Sequence, residues 1–415
     1  MKNTNPHPAH LNPDEVERLD SEHAQELNRR AELAGRSVIR LFGKKVMGIP
    51  GTLVGSVQIP ETRTLGKRFA DWHYWWQAHF LDCALDAAAR EHRLHNSSGA
   101  YEWFETAQKI LRGIKTRNFN VFTNAFYDDM AWLALAAGRL NDLSLTLRGR
   151  PDSLASDAGR ALFAALAKGA TDDLGGGMFW SARHDFKNTP ATAPAALAFV
   201  RGQQPQRAAG LLNWLDSSLW SGEESAYLDG LKVKDGAISL ERGLFSYNQG
   251  PVLAALLEVV EAGGELRCDV SERLSALFEG IDRHFTSEFT VASSGEKLTV
   301  LRTQAGGDGG LFTGILARYL AYVARSPQAP ADLRERAREL VLNTAEILWE
   351  GRREFDPDLP LNEMGIDVNE IRGEAAVLFS TSSTLHSSET LKPGAPVELS
   401  SQLQAWMILE AAATL

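Results

Sequence analysis

The sequence predicts an all-α protein folded as an (α/α)6 barrel, a toroid of six helical hairpins with short β-hairpins in its loops. Three observations predict it. About twelve segments carry the apolar spacing of helices. Most connections between them are short, and no low-complexity linker or shift in composition marks a domain boundary. Consecutive helices joined this way lie antiparallel as neighbours, and six such hairpins close into a ring. A single domain over residues 1–415 is therefore expected, with 1–12 as a flexible polar lead.

The elements follow in chain order. Residues 13–42 read as a first helix: Asn12 is placed to cap it, Pro13 suits its first position, and Asp14, Glu15 and Glu17 favour the positive end of its dipole. Residues 43–60, rich in Gly, Val and Ile, read as a connection with a short strand. A long helical pattern spans 65–93 and contains Trp72, Tyr74, Trp75 and Trp76; another spans 100–116. A third begins around Asp128-Asp129 and ends near Gly138. Residues 151–170 are helical, a glycine-rich loop runs to Pro190, and helices resume at 191–201 and 206–220. A hairpin turns at Lys234-Asp235-Gly236. Helices at 246–262 and 271–285 precede a second hairpin around Ser293-Ser294-Gly295. Helices at 311–324 and 331–349 follow, then an acidic loop over 352–372, a strand at 375–380 and a closing amphipathic helix at 399–413.

Composition narrows the partners. Hydrophobic residues make up 44% of the 415 and charged residues 23%, as in an ordinary globular protein with a large core. A formal charge of -10 without basic runs argues against nucleic acid or anionic membrane, and suits an uncharged substrate. Two cysteines, Cys83 and Cys268, imply no disulfide framework. No apolar signal segment and no run of roughly 18 apolar residues is found, so a cytoplasmic protein without a membrane span is expected.

The chemistry concentrates at Asp128-Asp129. The two aspartates interrupt a run of Phe122, Phe126, Tyr127 and Trp132. Aspartates at a helix start can simply cap it, yet desolvated neighbouring carboxyls also repel, so one holds its proton to unusually high pH. Adjacent Cα atoms stand about 3.8 Å apart, and diverging side chains put the carboxyls roughly 5–6 Å apart. Carboxyl pairs that cleave glycosidic bonds with retention sit about 5–5.5 Å apart, and inversion needs about 6.5–9.5 Å. Trp75, Trp76 and Trp180 offer flat faces that suit sugar rings. Gly176 and Gly177 would let backbone approach a ligand, and Tyr247, Asn248 and Gln249 either cap a helix or bind hydroxyls. Asp172-Asp173 is a second acid pair in a polar loop. The histidines have no metal-ligand spacing, and no nucleotide or cofactor fingerprint is present.

Tyr127-Asp128-Asp129-Met130-Ala131-Trp132, Gly175-Gly176-Gly177-Met178-Phe179-Trp180 with Lys187-Asn188, and Tyr247-Asn248-Gln249-Gly250 together resemble glycoside hydrolase family 76, which contains endo-α-1,6-mannanases and fungal cell-wall transglycosylases. The resemblance runs from about Trp72 to Arg318-Tyr319-Leu320. It implies an (α/α)6 barrel, a mannan or mannooligosaccharide substrate, no cofactor, Asp128 as nucleophile and Asp129 as acid/base. It further implies substrate contacts from Trp75, Trp76, Asn124, Tyr127, Gly176, Gly177, Trp180, Lys187, Asn188, Tyr247, Asn248 and Gln249. One departure stands out: a Phe-Lys-Gly-Ile pattern of the family reads Phe312-Thr313-Gly314-Ile315. The rivals are a transglycosylase using the same site, a sugar epimerase, and a non-catalytic glycan-binding protein.

Overall fold

The computed structural model describes residues 13–61, 72–303, 306–355, 376–392 and 394–415. Among them are twelve helices of three turns or more: α1 Pro13–Phe42, α2 Tyr74–Arg93, α3 Ser97–Arg117, α4 Tyr127–Arg148, α5 Ser153–Gly169, α6 Thr189–Arg201, α7 Pro205–Ser218, α8 Ser246–Glu261, α9 Val270–Phe285, α10 Gly309–Arg325, α11 Ala331–Glu350 and α12 Leu399–Ala412. The even-numbered helices form an inner ring. Each packs on the next, and α12 packs back on α2, so the ring closes. The odd-numbered helices lie outside it. This is the helical barrel expected from the hairpin pattern.

Burial follows from that layering. The outer helices keep one polar stripe, whereas α6 and α12 are buried on nearly every side. The expectation of an amphipathic α12 is therefore corrected: it is an interior helix, and Ser401, Gln402, Gln404 and Glu410 find their partners within the core. Gln402 clamps the backbone of Phe379 (2.8 and 3.0 Å), and Glu410 accepts from Trp406 Nε1 (3.0 Å) and Arg90 Nε (3.1 Å). A helix hydrophobic or satisfied all round needs no polar face.

An ionic layer crosses the barrel lumen. Asp82 and Asp86, one turn apart on α2, are both bridged by Arg139 of α4 and by Arg318 of α10, with Asp82–Arg318 at 2.7 Å and Asp86 2.5 Å from each arginine. Replacing such a network by apolar groups often costs little, whereas leaving one member unpaired costs several kcal/mol. Its effect is to fix the relative rotation of three inner helices.

Connections are uneven. Those leaving inner helices are mostly short, as at 94–96, 149–152 and 202–204, while those entering them are long, as at 43–73, 170–188 and 219–245. The N-termini of the inner helices thus share one face with the long loops. Two boundaries differ from the sequence reading. α2 begins at Tyr74 because His73 adopts a left-handed conformation (φ 44°); the predicted helical residues 65–71 lie outside the described residues, as do 1–12 and most of 352–372. α4 runs past Gly138, which points into open space, to Arg148. A three-stranded antiparallel sheet joins Phe186–Asn188, Gly230–Lys234 and Ala237–Glu241, with Lys187 opposite Leu231 and Leu231 opposite Leu240. No helix among the described residues is long and apolar enough to cross a membrane.

Candidate active site

Phe126 caps α4, so Tyr127, Asp128 and Asp129 are its first three helical residues. The free N–H groups of that turn find partners. Tyr127 N–H donates to the Trp180 carbonyl (2.7 Å), and Asp129 N–H donates to Asp128 Oδ1 (2.9 Å). Asp128 Oδ2 accepts from Trp180 Nε1 at 3.0 Å, and Asp129 Oδ2 accepts from Asn124 Nδ2 at 2.6 Å. Asn124 is itself fixed, because its Oδ1 accepts the Phe126 N–H at 2.9 Å. Both carboxyls remain half-buried rather than sealed. Capping and placement in a cleft therefore hold together.

Electrostatics act on both members of the pair. Burial pushes Asp128 above the usual carboxylate range, against the pull of the Asp129 N–H and the Trp180 indole on its anion. Burial and then the Asp128 charge push Asp129 well up, with the Asn124 amide opposing. Both carboxyls are thus raised, so the pair favours holding a proton over carrying two charges, and Asp128 has two hydrogen-bond donors where Asp129 has one.

Two aromatic walls stand at this end of the barrel. Trp180, about one-third exposed, packs on Phe126 (ring centroids 4.9 Å). On the other side Tyr247 stacks on Phe312 (3.9 Å, 14°), and Trp75 lies 6.3 Å from each. The charges of Asp229, Asp128 and Asp308 add to burial in raising the Tyr247 hydroxyl, which places this wall within electrostatic reach of the pair. Trp75 and Trp76 both donate their indole N–H to Asp308 Oδ1, at 3.0 and 2.9 Å. Beneath them His79, buried and kept neutral by that burial, touches Trp75 and Trp132 edge-on or tilted.

Several residues read from sequence as substrate contacts are turned away from the cleft. Lys187 is buried, and its ammonium donates to the carbonyls of Thr171 (2.8 Å), Asp173 (2.6 Å) and Gly176 (2.6 Å). A desolvated cation takes that many acceptors to offset its burial. Gly176 and Gly177 lie flat on Trp214, where a Cβ at Gly177 would come within 2.4 Å of the ring, and both line an outer hollow of about 420 Å³. Their positive φ angles, 131° and 78°, explain the glycines without a ligand. Asn188 caps α6 through Ala191 N–H (3.1 Å). Gln249 clamps the Tyr227 backbone (2.9 and 3.0 Å) and is closed to solvent. Asn248 is also sealed, its amide 3.5 Å from Asp229. Tyr127 and Trp76 are buried, and Trp76 reaches the site through Asp308. Asn124 and Trp180 touch the pair directly, and Trp75 and Tyr247 lie in the wall with Phe312. Asp172 and Asp173 are exposed.

Asp308 escaped the sequence reading, and Phe126 and Phe312, though noted there, were not assigned to the site. The signal for Asp308 was present in Gly306-Gly307-Asp308-Gly309-Gly310, an acid flanked by glycines just before a helix. Thr313, at the variant family position, is buried and spends its hydroxyl on the Arg302 carbonyl (2.9 Å). Among the described residues no group of three or more His, Cys, Asp or Glu side chains could hold a metal ion.

With this geometry in place, comparison settles the family. The family model for glycosyl hydrolase family 76 matches residues 45–368. The chain belongs to glycosyl hydrolase family 76. It is accordingly a glycoside hydrolase on a helical barrel. An α-1,6-mannanase of Salegentibacter sp. HEL1_6, solved as an inactive variant with α-1,6-mannotriose, matches with TM-score 0.70 and 24% identity over 93% of this chain and 99% of that one. A family 76 mannosidase of Bacteroides thetaiotaomicron matches with TM-score 0.67 and 14% identity, covering 94% and 98%. Dfg5 of Chaetomium thermophilum, in complex with glucosamine, matches with TM-score 0.64 and 15% identity, covering 94% and 90%. No curated protein matches by sequence.

Proposed function

We propose that this family 76 protein hydrolyses α-1,6-linked mannan or mannooligosaccharides with retention. Asp128 attacks the anomeric carbon while Asp129 gives its proton to the departing glycosidic oxygen. Asp129, now ionised, takes a proton from water, whose oxygen displaces Asp128 and releases the sugar. The observation that carries the reading is the asymmetric pair. Two donors stabilise the Asp128 anion, and Asp129, beside that charge, retains the proton a leaving group needs. The substrate class is supported by the Salegentibacter mannanase, whose inactive variant has two adjacent aspartates replaced by asparagine and binds α-1,6-mannotriose.

The test is a panel of α-linked mannooligosaccharides read by product mass and anomeric NMR. Wild-type protein is expected to cleave α-1,6 linkages and give the α-anomer first, and Asp128→Ala to bind the same oligosaccharide without turning it over. Binding without cleavage by the wild type, across linkages and pH, would sink the hydrolase reading. Transfer to an added sugar in place of water is the second reading, and the same panel with acceptor present separates the two.

A further inference from the structure

Asp308 stands immediately before α10, on the rim where Trp75 and Trp76 begin α2. One of its oxygens takes both indole N–H groups, and His73 Nδ1 lies 3.9 Å from that same oxygen. The His73 ring stacks on Trp76 at 4.2 Å. A single carboxylate thus ties two consecutive tryptophans of one inner helix to the start of another. The clamp alone does not require an acid, because an amide oxygen would accept the same two bonds. An acid at this position also adds its charge to two carboxyls that already repel. For a site whose chemistry depends on one proton being held, the same repulsion is useful.

We propose that Asp308 serves the reaction by position: its carboxylate fixes the Trp75 ring that walls the cleft, with the buried Trp76 behind it, at the end of the barrel that carries Asp128 and Asp129. It is a positioning residue, and the inference rests on the nucleophile and acid/base reading given above. Among the described residues the other ionisable groups beside the pair include Tyr127 in the same turn, Tyr74, Tyr247 and, beyond Tyr247, Asp229. Near Asp308 they are His73 and Glu398, the latter held by the Gly307 N–H. Asp308 adds its charge to burial in raising both members of the pair.

The hydrogen bonds of Asp308 and its charge separate by substitution. Asp308→Asn keeps an oxygen for the indoles and removes the charge. Both limbs of the kcat/KM–pH profile should then move toward acid, with KM within about twofold of wild type. Asp308→Ala removes both, so the profile moves the same way, KM rises about tenfold and the tryptophan near-UV circular dichroism changes. A uniform loss of rate with the profile in place, or no change, overturns the electrostatic part; an unchanged KM and dichroism in Asp308→Ala overturns the clamp. Carboxyl 13C NMR titration of Asp129 in wild type and Asp308→Asn reads the effect of the charge without turnover, as the dichroism reads the clamp. Both therefore decide the matter even if no mannan is cleaved, an outcome that would instead sink the proposed substrate. Should Asp308→Asn fail to fold, Asp308→Ala carries the same charge test.

Discussion

At the scale of single residues, the site works through which hydrogen bonds reach which carboxyl. Among the described residues Trp180 Nε1 is the one side-chain donor to Asp128, and it favours the anion that the proposed attack requires. Trp180→Phe keeps the ring that packs on Phe126 and removes that donor. Asp128 then titrates at higher pH, so the acid limb of the kcat/KM profile should move up while the basic limb, set by Asp129, stays nearly in place. Stopped assays from acid to neutral pH check this, and an acid limb unmoved by Trp180→Phe would mean that Asp128 is not the group that must ionise. The sequence made the pair legible, because adjacent acids inside an aromatic run demand an explanation. It could not show that Trp180, far away in the chain, would reach back to one of them, since nothing local records a contact across 52 residues.

At the scale of elements, one device recurs. Gln77, Gln249 and Gln402 are each the fourth residue of an inner helix, α2, α8 and α12. Each clamps both backbone groups of a residue in a long entering loop: Gly55 (2.7 and 3.0 Å), Tyr227 (2.9 and 3.0 Å) and Phe379 (2.8 and 3.0 Å). A primary amide is the side chain that matches a peptide group donor for acceptor. The device ties three of the long entering loops to the inner ring. This is where the sequence reading of Gln249 as a hydroxyl-binding residue fails: the amide type was right for recognition, but what it recognises is the chain's own backbone. Periodicity located the helices well, because burial on one stripe is written into spacing. It misread α12, whose interior position removes the stripe. Gln249→Leu strands a buried N–H and C=O of Tyr227, so a loss of about 2–4 kcal/mol in stability is expected. Oligosaccharide affinity of the folded fraction should stay near wild type. Chemical denaturation with isothermal titration would measure both, and a large affinity loss without destabilisation would restore Gln249 to the cleft.

For the whole molecule, closing a ring around polar chemistry leaves a mixed set of buried carboxyls, and their balance sets how stability depends on pH. Burial raises Glu410 to about 7 although Arg90 lies beside it, and burial also raises Asp128 and Asp129. These groups keep protons in the folded state that the unfolded chain releases, so their stabilisation is complete below the unfolded pKa and is lost as pH rises through the folded value. The ion-paired acids run the other way. Glu26 is lowered to about 2 by Arg29, and Glu32 and Asp82 are lowered despite burial by Arg90 and by Arg139 with Arg318. Their contribution is present above the unfolded pKa and fades as pH falls toward the folded values. The two sets cross where the unfolded carboxyls titrate, so the melting temperature should peak at about pH 5 and fall toward neutrality. Glu410→Gln removes one rising group while leaving Arg90 its partners Glu32 and Glu91. The variant should gain on wild type at pH 7.5 and lose that advantage at pH 4.5. Calorimetry across this range checks the claim, and a melting temperature that climbs steadily to pH 8 in the wild type would show that the ionic layer, not the buried acids, governs the balance.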